Sequence, residues 1–170
     1  MRLIKMIGGL GNQMFIYAFY LKMKHHYPDT NIDLSDMVHY KVHNGYEMNR
    51  IFDLSQTEFC INRTLKKILE FLFFKKIYER RQDPSTLYPY EKRYFWPLLY
   101  FKGFYQSERF FFDIKDDVRK AFSFNLNIAN PESLELLKQI EVDDQAVSIH
   151  IRRGDYLLPR HWANTGSVCQ

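Results

Sequence analysis

The chain has 170 residues, of which 46% are hydrophobic and 26% charged. That is enough apolar sequence for one folded domain and too much for a disordered or low-complexity chain. Two cysteines, Cys60 and Cys169, with no Cys-x-x-Cys pair, exclude a disulfide scaffold and a zinc ribbon. The net charge of +4 is uneven: residues 60–110 carry eleven basic against five acidic side chains, and residues 111–145 carry four against eight.

Residues 2–7 (Arg-Leu-Ile-Lys-Met-Ile) read as a first strand. Gly8-Gly9-Leu10-Gly11 follows as a loop, Asn12 is placed to cap a helix, and Met14 to Lys24 carries the helical pattern until Pro28 stops it. Strand, glycine-rich turn and helix together open a βαβ unit. Asn31 to Leu34 is the expected second strand, and residues 39–62 give mixed signals. Residues 64–81 are helical by pattern, residues 86–105 are rich in Tyr and Phe with strand character at Tyr100–Tyr105, and Ser107 to Phe122 reads as one helix. Asn130-Pro131 opens another helix through Ile140. Ala146 to Ile151 reads as a strong strand that leaves into the loop Arg152-Arg153-Gly154-Asp155-Tyr156.

Four stretches could carry chemistry. In Ser148-Ile149-His150-Ile151-Arg152-Arg153-Gly154-Asp155, two guanidinium groups stand at a strand end, where open α/β sheets bind ligands, and they suit phosphate or carboxylate. The structural alternative is an Arg152–Asp155 ion pair beside a core His150. In Gly8-Gly9-Leu10-Gly11-Asn12-Gln13, the glycines allow close backbone approach and a helix N-terminus attracts anions. The stretch matches half of a dinucleotide fingerprint, and it also fits a plain tight turn. The basic, Phe-rich helix at 64–81 reads as a core cover with a solvated basic face, with a membrane surface as the alternative. In Lys102-Gly103-Phe104-Tyr105-Gln106-Ser107-Glu108, Tyr105 and Gln106 could face a sugar, Ser107 could cap the next helix, and aromatic core packing is the alternative. Metal ligation has little support, since His25 and His26 diverge on a helix and no His-x-x-x-His pair lies on a clear one. A nucleic-acid binder would need a continuous basic face with stacking aromatics, and the basic residues cluster in one helix instead.

Three of these stretches, taken in order, resemble the α-1,2-fucosyltransferases of glycosyltransferase family 11. Gly8-Gly9-Leu10-Gly11-Asn12-Gln13-Met14-Phe15 resembles the family's opening signature. Gly103-Phe104-Tyr105-Gln106-Ser107-Glu108 resembles its central Gly-Tyr-Trp/Phe-Gln-Ser-Glu segment, with an aromatic swap at two positions. His150-Ile151-Arg152-Arg153-Gly154-Asp155-Tyr156 resembles the His-x-Arg-Arg-x-Asp motif shared among fucosyltransferases. The resemblance implies an α/β, GT-B-like, two-domain inverting transferase. Residues 1–145 would form a Rossmann-like N-terminal domain, and residues 146–170 would begin the donor-binding domain. GDP-fucose would be the donor and the 2-hydroxyl of a terminal galactose-type residue the acceptor, with no metal or other cofactor required and no nucleic acid as partner. Arg152 would stabilise the departing β-phosphate, with Arg153 supporting it or held in an ion pair. Gly9, Gly11, Asn12 and Gln13 would approach the diphosphate or the acceptor, and His150 and Asp155 are the candidates for the base, unless a loose transition state needs little of one. Family members continue well past the Arg-Arg motif, so the chain reads as a truncated member, with a catalytically inactive binding module as the alternative. No signal-peptide core and no run of 18 apolar residues occurs in the sequence. The expected location is therefore cytoplasmic, with the basic helix resting peripherally on anionic membrane.

Overall fold

The computed structural model describes residues 2–37, 45–54, 63–72 and 100–149. It divides the chain into two compact units, Met1–Ile128 and Ala129–Gln170.

The first unit is built on a parallel sheet of three short strands in the order β2-β1-β3. These are β1 (Arg2–Lys5), β2 (Thr30–Asp33) and β3 (Tyr100–Phe101). Between β1 and β2 runs α1 (Leu10–His26), so the expected βαβ opening is present. The register sets Ile4 against Ile32 on one side and Phe101 on the other. Parallel partners share a face, so these three side chains form an apolar row across the sheet. Ile16, Phe19, Tyr20 and Met23 of α1 pack in the same buried cluster as that row. Phe19 is its hub, stacked on Tyr105 with ring centroids 3.9 Å apart and edge-on to Phe101 at 5.9 Å and Phe110 at 5.7 Å. Such pairs add about 0.5–1.5 kcal/mol each beyond the area they bury. The opposite face of the sheet carries buried polar groups: the Tyr100 hydroxyl donates to Asp33 Oδ2 at 2.9 Å, and Lys5 pairs with Asp36.

Helix α1 begins four residues earlier than its pattern predicts, and Asn12 does not cap it. Gly9 takes the cap position in an extended conformation, which places Gly11 and Asn12 inside the first turn. Pro28 ends the helix as expected. The Tyr27 N–H closes on the Met23 carbonyl at 2.8 Å, and Thr30 then bonds back to Tyr27 before β2 begins.

Past β2, residues 48–51 form a one-turn helix α2 (Met48–Ile51) that the mixed local signals did not disclose. Helix α3 (Arg63–Leu72) matches the front of the helix expected over 64–81, and residues 73–81 lie outside the described residues. The single helix expected over Ser107–Phe122 is broken. It becomes two 3-10 turns, Glu108–Phe110 and Phe112–Ile114, followed by α4 (Lys115–Ala121). The break falls at Phe111, whose φ of −146° leaves the helical region. Its ring packs 6.2 Å from that of Phe15 and beside Ala18, Ile114 and Val118, a position that a regular helix would not give it. Ser107 caps the first of these turns by accepting from the Arg109 N–H, as expected.

In the second unit, α5 (Pro131–Glu141) opens as the sequence indicates, with Asn130 Oδ1 accepting from the Ser133 N–H at 2.7 Å and Pro131 in the first turn. The strand expected over Ala146–Ile151 is not formed through Ile149. Apolar β-branched sequence becomes a strand only when a neighbouring ladder takes its N–H and C=O groups. Among the described residues no strand pairs with it.

Candidate functional site

The strand order reverses at β1, which has β2 on one side and β3 on the other. In open parallel sheets such a reversal opens a crevice at the carboxyl ends of the strands, where ligands bind. The segments leaving all three strands meet there, at the first turn of α1.

Asn12 and Gln13 do the joining, each toward a different neighbour. Gln13 is fully buried at 0% exposure. Its Nε2 donates to the carbonyls of Gly8 at 2.9 Å and Gly45 at 2.8 Å, and its Oε1 accepts from the Glu47 N–H at 3.0 Å. This side chain ties the loop after β1 to the segment after β2. Asn12 reaches the segment after β3, its Oδ1 accepting from Gln106 Nε2 at 2.5 Å. Gly8, at φ +82°, lies under the Asn12 side chain, and a Cβ there would stand 2.7 Å from Asn12 Nδ2. Only glycine meets both demands.

Gly11 is a different case. A Cβ at Gly11 would meet nothing within 4 Å, and its φ is not one that excludes side chains. Glycine inside a helix costs about 0.5–1 kcal/mol relative to alanine, and here neither packing nor backbone geometry asks for it. The open space over the first turn is where a ligand could approach the backbone. No acidic side chain occupies that turn, and the Gly9 cap makes no side-chain hydrogen bond. No side chain within the first turn itself sets a negative charge against the positive end of the α1 dipole.

The described side chains of this cluster are amides. Asn12, Gln13 and Gln106 do not titrate, so they bind and orient and do not transfer protons. Nearby on α1, burial pushes the Tyr17 hydroxyl up to about 12, with Tyr20 adding to the shift, so Tyr17 stays neutral. Among the described residues no group of three or more His, Cys, Asp and Glu side chains could hold a metal ion.

Of the expected site residues, Gly9, Gly11, Asn12 and Gln13 stand together in and just before the first turn. Gln13 is turned inward, and backbone groups take up its polar atoms. His150, Arg152, Arg153 and Asp155 lie outside the described residues. Tyr105, expected as a residue that could face a sugar, is 1% exposed and belongs to the core. Gln106 beside it is exposed and joins the site. No side-chain pattern marks the part played by Gly45 and Glu47, because their role is to offer backbone groups to Gln13.

The described residues thus define an α/β unit with an amide-lined loop cluster at the carboxyl edge of a parallel sheet. Glycosyl transferase family 11 matches this sequence over residues 3–170, and the chain belongs to that family. It is 30% identical over 165 residues to an alpha-1,2-colitosyltransferase of Escherichia coli, covering 90% of this chain and 54% of that protein. The chain therefore spans about half the length of that relative. No solved structure matches it.

Proposed function

We propose that the chain is part of an inverting, GT-B-like α-1,2-fucosyltransferase. It would use GDP-fucose and the 2-hydroxyl of a galactose-type residue at a glycan terminus, in the synthesis of a surface polysaccharide. One observation carries this reading. Two motif segments 94 residues apart, which the family resemblance singles out independently, are joined by the Asn12–Gln106 hydrogen bond at the carboxyl edge of the sheet. The family match supports sugar transfer, and the α-1,2 linkage appears in the name of the relative.

In the proposed reaction the acceptor oxygen forms a bond to fucose C1 while the bond from C1 to the β-phosphate oxygen breaks. The electron pair leaves on GDP, and the acceptor proton passes to a base or to water. Charge grows on the β-phosphate, and Arg152 is assigned to meet it, with Arg153 in support; losing such stabilisation costs about 10²–10³ in rate. His150 and Asp155 are the candidates for the base. Backbone N–H groups at Gly9 and Gly11, with Asn12, are assigned to the diphosphate or the acceptor, and Gln13 to holding that turn in place. No metal is assigned a role.

We place the reaction in the cytoplasm, with α3 against anionic lipid. Leu65, Ile68 and Phe71 recur every three residues on that helix and are exposed, Lys67 is exposed beside them, and the surrounding sequence is basic. No described helix is long and apolar enough to cross a membrane. Sedimentation with phosphatidylglycerol vesicles but not with phosphatidylcholine vesicles is the expected result, and indifference to lipid charge would overturn the placement.

The reaction is tested by calorimetric titration of GDP into the chain and its Arg152→Ala variant, followed by assay for fucose transfer to a galactoside. Binding that the variant loses supports the assignment. GDP binding without transfer would favour a binding module. A folded chain that does not bind GDP would show that the donor site is not complete within these 170 residues.

A further inference from the structure

Two departures from ordinary backbone geometry flank the Asn12 amide. On one side is Gly8 at φ +82°. On the other is Tyr105 at φ 50°, a left-handed conformation that side-chain-bearing residues avoid and that surrounding structure must enforce. Phe19 and Phe110 enforce it, stacking on the Tyr105 ring and packing against its edge. The consequence is local. Tyr105 is held in the core while the next residue, Gln106, is turned out to the surface, and the Ser107 N–H closes the turn on the Tyr105 carbonyl at 2.8 Å. From there Gln106 Nε2 reaches Asn12 Oδ1.

We infer that Gln106 is a positioning residue for the ligand site at the first turn of α1. An asparagine amide can present either its oxygen or its nitrogen, and its partners decide which. Gln106 donates to Asn12 Oδ1 and so fixes the rotation of the amide, with the oxygen toward Gln106 and the Nδ2 donors at its other end. Those donors suit oxygen acceptors: a phosphate oxygen or a sugar hydroxyl. The contact is exposed and neutral, so it contributes little to the stability of the fold. What the contact does fix is the rotation of the Asn12 amide, whose oxygen it turns toward Gln106. The inference rests on the reading that this turn binds the nucleotide-sugar donor, and it names the residue that sets the polarity of the site.

The test is a double-mutant cycle on the full chain, with Asn12→Ala, Gln106→Ala and both together, reading the Kd for GDP by calorimetry and thermal unfolding by circular dichroism. The expected result is weaker binding by about tenfold for Asn12→Ala, a smaller loss for Gln106→Ala, and a double variant no weaker than Asn12→Ala alone, all with unchanged melting. A second measurement needs no ligand: the Gln106 side-chain amide resonances should shift in Asn12→Ala. Additive losses would overturn the inference, because Gln106 would then act other than through Asn12. Unchanged Gln106 resonances would also overturn it while leaving the donor reading intact. Shifted resonances in a folded chain that does not bind GDP would show that the donor site is not complete within these residues, and would overturn the role assigned to Gln106 in it.

Discussion

The two ends of α1, about 24 Å apart at 1.5 Å per residue, are held by different chemistry. The first turn is fastened by neutral amides, with Asn12 to Gln106 and Gln13 to the backbone of Gly8, Gly45 and Glu47. The far end is fastened by charges. Lys22 pairs with Asp113, His25 Nε2 lies 3.1 Å from Asp117 Oδ2, and Lys24 donates to the Tyr20 hydroxyl at 2.7 Å. Basic side chains in the last turn suit the negative end of the helix dipole, and Asp113 gives the buried Lys22 ammonium the partner that burial demands. An acid in the first turn would have suited the dipole equally well, and none is there. The difference teaches where each end is directed: basic side chains of one end meet acidic partners within the protein, while the other end is held by neutral amides with no acid in its first turn.

Substitutions should separate the two ends by magnitude. The largest effect belongs to Gln13→Met, which leaves two carbonyls and one N–H buried without this partner. A loss of about 2–4 kcal/mol in urea unfolding is expected, and a loss below about 1 kcal/mol would show that the clamp is dispensable. Gly8→Ala should cost about 1–2 kcal/mol for the left-handed backbone and should weaken GDP binding as well, because the new Cβ displaces the Asn12 amide. At the charged end, Asp113→Asn should cost about 1–2 kcal/mol: the buried Lys22 ammonium keeps a hydrogen-bond acceptor but loses its countercharge, and the 62% exposure of the Asp113 side chain limits the loss. Its signature is the pH profile. The hydrogen bond from Lys22 holds the Asp113 carboxyl below the usual carboxylate range. The unfolded chain therefore takes up this proton at a higher pH than the folded one. The contribution is full above the unfolded value and is lost as pH falls through the folded one. Asp113→Asn should flatten that part of the acid limb, and a profile unchanged by the substitution would contradict the assignment. The smallest effect, and the one of opposite sign, is Gly11→Ala. Helical stability should rise by about 0.5–1 kcal/mol while GDP affinity falls. A variant that gains stability and keeps its affinity would remove Gly11 from the site.

Features set within a few residues were legible in the sequence. The apolar run of β1, the stop at Pro28, the Asn130 cap and the Pro131 start of α5 each depend on contacts no further away than one turn. Two expectations failed for the converse reason. Ser107–Phe122 has helical periodicity, yet Phe111 abandons it for a place against Phe15 and the Ala18 cluster. Ala146–Ile149 has strand composition without a strand to pair with among the described residues. The loop at Gly8–Gln13 was marked by its glycines, but not the division of labour inside it. Nothing local distinguishes Gln13, which faces inward, from Asn12, which faces Gln106.

The sequence by itself determined the βαβ opening, the glycine-rich turn before α1, the stop of that helix at Pro28, the Ser107 and Asn130 caps and the three motif segments that place the chain in its family. Tertiary structure decided which of those segments meet. The parallel order β2-β1-β3 brings Gln106 to Asn12 across 94 residues of sequence, the Phe19 stack turns Tyr105 inward and Gln106 outward, and buried backbone groups of Gly8, Gly45 and Glu47 claim Gln13. Caps and periodicities are short-range free-energy terms written residue by residue, whereas a hydrogen-bond partner or a neighbouring strand exists only once the chain has brought distant segments together.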